Sequence, residues 1–198
     1  MKVTLNKRST LYQGFFRMEE LRVQHELFKG GMSPQLRREV MVRPQAACIL
    51  LFDPVRDEIV MVEQFRAPTM EGDNPWLLEL VAGLLDKNTE SPDDVARRES
   101  VEEAGLVVRR LEKITQYWSS PGASNEYVHL FVGEIDASEA GGIHGLVEEG
   151  EDIRVVVLPV IEMRTLLQNQ KINNAASIIA LQWFESNYNA LKARWLDK

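Results

Sequence analysis

The chain reads as an α/β protein, a mixed sheet with helices on both faces, preceded by a small antiparallel β-region. Three observations carry that expectation. Apolar runs of strand length recur from residue 46 onwards, a helix with clear start and stop signals interrupts them, and two stretches near the C-terminus carry helical spacing. Hydrophobic residues make up 44% and charged residues 27% of the 198 positions, a balance that supports one sizeable core with room for a small extra subdomain.

Each element has its own signal. From Leu11 to Val42 the residues alternate in a strand-like way, with turns at Lys29-Gly30-Gly31 and Ser33-Pro34, and this predicts the small antiparallel sheet. Ala46 to Phe52 and Glu58 to Gln64 flank Asp53-Pro54-Val55-Arg56-Asp57 as strand, turn and strand. Trp76 to Ala82 reads as another strand leading into Gly83. A helix then starts cleanly: Ser91 is a good N-cap, Pro92 fits the first helical position, and Asp93 and Asp94 favour the positive end of the dipole. Gly105 suits the left-handed residue that closes it. Tyr127 to Ile135 and Ile153 to Val160 are strand-like, whereas Ile161 to Gln168 and Asn174 to Trp195 are helical. Ala137 to Asp152 has little apolar periodicity. A connection of that length is either a solvated link or a flap that brings Glu148, Glu149 or Glu151 to a site.

Charge and cysteine usage narrow the function classes. The formal net charge is −7 and no long Lys/Arg run appears, which disfavours nucleic acid as the main partner. The single Cys48 lies in the apolar run AACILLF, so a disulfide within the chain is excluded and a small buried side chain in a reducing compartment is expected. The first residues lack a signal-peptide apolar core, and no segment approaches the ~20 apolar residues of a membrane span. These features predict a cytoplasmic protein with no membrane partner.

The stretch Gly83 to Leu106 names the chemistry. Its end is dense in carboxylates, with Glu99, Glu102 and Glu103 three and four residues apart, so that on a helix they project from one side. Like charges about 5 Å apart repel by roughly 3 kcal/mol per pair at an effective dielectric near 20. Such a cluster stays ionised only when water screens it or a cation occupies it. Hard oxygen ligands suit Mg²⁺ or Mn²⁺, which in turn polarise phosphate oxygens. His25, His129 and His144 do not form a metal-binding pair by spacing and are expected in ordinary structural roles. Trp76, Trp118, Trp183 and Trp195 are expected as core or interface aromatics.

This segment resembles the Nudix box, G-x5-E-x7-R-E-U-x-E-E-x-G-U with U a bulky aliphatic residue. Gly83, Glu90, Arg98, Glu99, Glu102, Glu103, Gly105 and Leu106 supply the pattern. It departs at two points: one extra residue separates Gly83 from Glu90, and Ser100 takes an aliphatic position. The insertion falls before Ser91 and should leave the helical register intact. Beyond the box, LYQGFF, Arg37-Arg38-Glu39, FDPVRDE, EQFR, PWLLELVAG, SSPGASNE, GIHGLVEEGEDIR and INNAASIIALQW are similar, in order, to the bacterial ADP-ribose pyrophosphatase branch of Nudix hydrolases. So is Pro121, fifteen positions past Leu106 (121 − 106 = 15).

The resemblance implies a Nudix α/β/α sandwich at 43–198 and an N-terminal β-subdomain at 1–42 that exchanges contacts across a homodimer. It implies Mg²⁺-dependent hydrolysis of ADP-ribose to AMP and ribose 5-phosphate, with Mn²⁺ as a substitute ion. Glu99, Glu103 and, through water, Glu102 match metal ligands, as do the Ala82 carbonyl and Glu151. Glu149 matches the general base, although a one-residue shift among Glu148, Glu149 and Glu151 would exchange roles. Glu90 and Arg98 are expected as a structural ion pair. Arg38, Glu39, Arg43, Arg66 and Leu84 match substrate-contacting positions. Phe15 and Phe16 match an aromatic pair near the adenine, and Ser120, Pro121, Gly122 and Glu126 match a loop lining the distal ribose. Another ADP-sugar or GDP-mannose as substrate, and a sensor that binds ADP-ribose without turnover, remain as alternatives.

Overall fold

Every residue of the strand Ala46–Asp53 (β4) is buried, which is what a central strand covered on both faces requires. In the computed structural model, which describes residues 1–86, 89–146, 148 and 150–197, the chain divides into two compact units. One comprises Met1–Gln45 with Tyr117–Tyr127, and the other Ala46–Gln116 with Val128–Lys198.

The first unit holds an antiparallel sheet of β1 (Val3–Gln13), β2 (Arg17–His25) and β3 (Leu36–Val42), in that order. Strand structure thus begins at Val3, well before the expected Leu11. Only Val3 and Leu5 are apolar among residues 3–10, Lys7 to Thr10 are all polar, and the strand is largely exposed, so this stretch carries no apolar run. Within the same unit a parallel bridge joins Met41 to Ser124.

The second unit is built on β4, β5 (Glu58–Phe65), β6 (Trp76–Glu79), β7 (Val81–Leu84), β8 (Leu111–Trp118), β9 (Tyr127–Glu134), β10 (Ile143–His144) and β11 (Ile153–Pro159), with the ends of β8 and β9 falling in the first unit. The strand order is β10-β11-β5-β4-β9-β8, with β6 paired to β5 and β7 to β4. β4 runs antiparallel to β5 and parallel to β9, so the sheet is mixed as expected. The single strand expected over Trp76 to Ala82 is two: β6 follows β5, β7 follows β4, and buried Leu80 marks the switch. β8 went unpredicted because LEKITQYW mixes charge with apolar residues along a half-exposed strand.

Three helices cover this sheet: α1 (Pro92–Ala104), α2 (Val160–Gln168) and α3 (Ala175–Leu196). Ala47, Ile49 and Leu51 of β4 cluster with Val95, Ala96 and Ala104 of α1. The alternate β4 residue Phe52 packs against α3, its ring 4.9 Å from Phe184 and 6.2 Å from Trp195. Each fully buried Val, Leu, Ile or Phe side chain among these contributes roughly 1.5–3 kcal/mol. The period-two alternation of one strand therefore separates the two helical layers. Cys48 is buried in β4, as its apolar neighbours imply, and Trp195 is buried, whereas Trp76 and Trp118 are half exposed. No helix among the described residues is long and apolar enough to cross a membrane.

Candidate active site

Local sequence sets up α1. The Ser91 hydroxyl accepts from the Asp94 amide at 3.2 Å and the Asp94 carboxylate accepts from the Ser91 amide at 3.0 Å, a reciprocal cap. At the other end Gly105 takes φ 67°, and its amide donates to Val101 O. The helical register expected past the extra residue is intact. Ser100 is wholly buried, and its hydroxyl donates to the Ala96 carbonyl at 2.7 Å, so the polar group in an aliphatic position is satisfied within the helix.

The face that α1 turns to β7 carries Glu99 and Glu103. Glu103 is 4% exposed, and its Oε2 accepts from the Ala82 amide at 3.0 Å. Gly83 leaves room for Glu99: a Cβ there would collide with the Glu99 carboxylate. Glu102 stays beside Glu99 at the outer edge of the cluster. It is about a third exposed and accepts from Arg98 Nη1 at 2.7 Å, the nitrogen that also donates to Glu99 at 2.8 Å. Arg98 reaches Glu90 as well, with Nε 3.2 Å from Oε1, so the expected structural ion pair is present and extends into a four-residue bridge.

Burial dominates the electrostatics here. It pushes the Glu103 carboxyl up to about 8, with repulsion from Glu99 and Glu151 adding to it and the Ala82 amide opposing. Burial also pushes Glu99 up to about 7, opposed by Arg98 and reinforced by Glu102 and Glu151. Without a cation, the pair meets neutral pH by holding a proton rather than by remaining doubly ionised. Glu151, brought in from the 137–152 segment, is half-buried and accepts from the Leu146 amide at 2.9 Å. Each of these carboxylates is thus held by a protein donor, and among the described residues no three acidic or histidine side chains stand at the spacing of a formed metal site. The chemistry of the set still fits a hard cation, since Glu99, Glu103 and Glu151 all act on one another electrostatically.

The remaining expected residues are distributed between the units. In the second unit, Arg66 donates to Glu79 at 2.8 Å and its charge also lowers the Glu103 carboxyl, while Leu84 sits half-buried on β7 opposite Ala46. Glu148 is exposed, and Glu149 lies outside the described residues. In the first unit, Phe15 is 90% exposed and meets Phe16 edge-on at 4.9 Å. The Arg43 guanidinium stands 5.2 Å over the Phe16 ring, and Arg43 Nε lies 3.1 Å from Glu126 Oε1. That Nε is buried and off the line of a hydrogen bond, so the Arg43–Glu126 contact is purely ionic. Arg38 is exposed and donates to the Arg37 carbonyl, whereas Glu39 accepts from Arg37 at 2.9 Å. Ser120, Pro121 and Gly122 form an exposed turn closed by amides of Ala123 and Ser124 on Ser120 O.

Two neighbours, Glu79 and Asn125, carry no individual expectation in the sequence, and a third, His144, is expected there only in a structural role. Glu79 holds Arg66, and burial raises its carboxyl; a lone carboxylate inside the apolar run LLEL was the available signal. The Asn125 side chain accepts from the Arg43 amide at 2.7 Å. His144 packs on Gly105, a contact between segments far apart in sequence.

Comparison with known proteins converges on one family. A NUDIX domain profile matches residues 42–182. The ADP-ribose pyrophosphatase of Escherichia coli (strain K12) is 48% identical over 194 residues, 98% of this chain and 92% of that protein. The ADP-ribose pyrophosphatase of Haemophilus influenzae is 42% identical over 190 residues, 94% and 87% respectively. A GDP-mannose pyrophosphatase of Cronobacter sakazakii is 32% identical over 189 residues, 92% and 94%. A solved structure described as an ADP compounds hydrolase shares the fold with a TM-score of 0.70 over 94% of this chain and 96% of that one, at 22% identity. A profile spanning more than half of the residues, together with relatives aligned nearly end to end, shows that this chain belongs to the NUDIX domain family.

Proposed function

We propose that this protein hydrolyses the pyrophosphate bond of ADP-ribose to AMP and ribose 5-phosphate with Mg²⁺ as its cofactor and Mn²⁺ as a substitute. The observation that carries the reading is the Glu99–Glu103 pair, Glu103 buried and Glu99 half-buried, set against β7 in a chain 48% identical to ADP-ribose pyrophosphatases. NUDIX hydrolases generally use divalent metals. Glu99, Glu103, Glu151 and the Ala82 carbonyl would hold the ions, with Glu102 contributing through water. When bound there, divalent cations would supply positive charge to offset the diphosphate and would lower the pKa of the attacking water.

The chain's own groups do the rest. Glu149, outside the described residues, takes the proton from water as its oxygen bonds to phosphorus and the bridging P–O bond breaks. Arg66, aimed by Glu79, supplies positive charge near the acid pair. Phe16 and Arg43 offer a flat ring and a guanidinium to the nucleotide, with Phe15, Arg38 and Glu39 beside them in sequence; Glu126 with Ser120, Pro121 and Gly122 offers sugar-binding groups. Leu84 lines the site next to Gly83. Residues 1–42 act as a β-subdomain that pairs two copies into a homodimer, so that Phe15 and Arg38 serve the partner's site. We place the enzyme in the cytoplasm, where the single buried Cys48 stays reduced.

The 32% identity to GDP-mannose pyrophosphatases keeps that substrate as the second reading. Side-by-side kinetics decide between them: ADP-ribose should give the higher kcat/KM, and a preference for GDP-mannose reverses the assignment. Turnover of ADP-ribose should require Mg²⁺, and equal turnover in EDTA refutes the metal requirement. Label from ¹⁸O-water found in AMP or in the sugar phosphate reports which phosphorus is attacked.

A further inference from the structure

His144 has no role in the reaction described above, yet it stands between the helix carrying Glu99 and Glu103 and the segment carrying Glu151. A Cβ added at Gly105, the C-cap of α1, would lie 2.9 Å from His144 Cε1, so the imidazole occupies the space that the missing side chain leaves. The ring is oriented from the other side by the Gly141 carbonyl, 2.9 Å from Nε2. A carbonyl only accepts, so Nε2 carries the proton. The backbone at this point is also tied down. His144 pairs with Ile153 in the β10–β11 ladder, and the Val155 amide donates to Gly142 O at 3.1 Å.

The next residues lead directly to the carboxylate. A Cβ at Gly145 would lie 2.7 Å from Glu151 Cβ, so Glu151 packs on the backbone beside His144. Leu146 clamps it from both ends: its amide donates to Glu151 Oε2 at 2.9 Å, and its carbonyl accepts from the Glu151 amide at 3.2 Å. A continuous path thus runs from the Gly105 cap through His144 and Gly145 to Glu151. We propose that His144 is a positioning residue, a wedge between the α1 cap and the Gly145–Leu146 backbone on which Glu151 rests, and that it sets where Glu151 stands relative to Glu99 and Glu103. It touches neither metal nor substrate; it fixes the spacing of the carboxylates that would hold the cation, and in that it rests on the hydrolase reading above.

The test is a double-mutant cycle on the full chain, read first by Mn²⁺ affinity from electron paramagnetic resonance, without substrate. His144→Ala should weaken Mn²⁺ binding about tenfold, the lower end of what loss of a ligand-orienting neighbour costs. The kcat for ADP-ribose should fall by a similar factor, with KM within about twofold. His144→Gln, whose amide can reach the Gly141 carbonyl, should recover most of the affinity. In a Glu151→Gln background, His144→Ala should change Mn²⁺ affinity by no more than about twofold, because its effect passes through Glu151. Additive losses in the two backgrounds, or wild-type affinity in His144→Ala, overturn the proposal. A wild-type chain that binds Mn²⁺ but leaves ADP-ribose intact sinks the hydrolase reading instead, and the affinity cycle still decides the role of His144.

Discussion

The acid pair of the second unit and the aromatic–guanidinium cluster of the first are built on opposite plans. Glu99 and Glu103 stand one helical turn apart on a capped helix, half-buried and buried respectively against β7, with their environment set by backbone and neighbouring charge. Phe15, Phe16 and Arg43 occupy a turn and the end of a strand, with Phe15 90% exposed and a buried Arg43 Nε lacking a hydrogen bond. Groups that perform a reaction need fixed spacing, and regular elements supply it. Groups that recognise a ligand gain from exposure, because the contact surface must be free to receive it. Energetic consequences differ accordingly. Disturbing the first plan should appear in kcat and in pH behaviour, and disturbing the second in KM.

The largest effect tests this most severely. Glu103→Gln should lower kcat by about 10²–10³-fold, the scale of losing one group that stabilises the transition state. It should leave the melting temperature in EDTA unchanged or higher, because a buried carboxyl raised to about 8 is a cost in the metal-free fold. A large fall in melting temperature would make Glu103 structural and erase the contrast.

The pH dependence follows from the same pair. Glu99 at about 7 and Glu103 at about 8 both lie above the ordinary value of 4.5, so the folded metal-free chain binds protons that the unfolded chain releases. Their contribution is fully present below about pH 4.5 and is lost as pH rises through 7 and 8. Within pH 6 to 8.5, at about 1.4 kcal/mol per pK unit, that loss is on the order of a few kcal/mol. Melting curves in EDTA should therefore shift downward by several degrees between pH 6 and pH 8.5, and saturating Mg²⁺ should abolish the shift. Parallel slopes with and without Mg²⁺ would sever the pair from the metal.

Arg43→Ala should raise KM about tenfold while kcat changes by about twofold or less, the pattern of uniform binding lost. A fall in kcat alone would move Arg43 into the reacting half of the comparison. The smallest effect is expected at Ser100→Val. The hydroxyl bonds only to the Ala96 carbonyl in its own helix, so stability should change by about 1 kcal/mol or less and kcat should stay as it was. A large change there would mean that the family's aliphatic position is under tighter packing than the helix shows.

Parts of this molecule were legible in advance for local reasons. Ser91, Pro92, Asp94 and Gly105 signal the ends of α1 through hydrogen bonds between residues a few positions apart, and the structure reproduces them. The apolar run of β4 announces a strand buried on both faces. β8 was illegible because a half-exposed strand needs few apolar residues, and β10 because two residues carry no period. In the site, i,i+4 spacing placed Glu99 and Glu103 together, and i,i+3 spacing placed Glu102 beside Glu99, where both accept from Arg98 Nη1.

The sequence by itself determined the mixed α/β class, the capped helix and the presence of closely spaced glutamates on it, because each depends on contacts between near neighbours along the chain. Packing across the sheet sets which carboxylates are buried, how far their protons are held, how Glu151 is clamped, and that His144 meets the end of the helix. Burial, desolvation and the Gly105 wedge arise from β7 and the 137–152 segment, about 20 to 50 positions away. Those distances along the chain are closed only by the packing of the whole sheet and its helices.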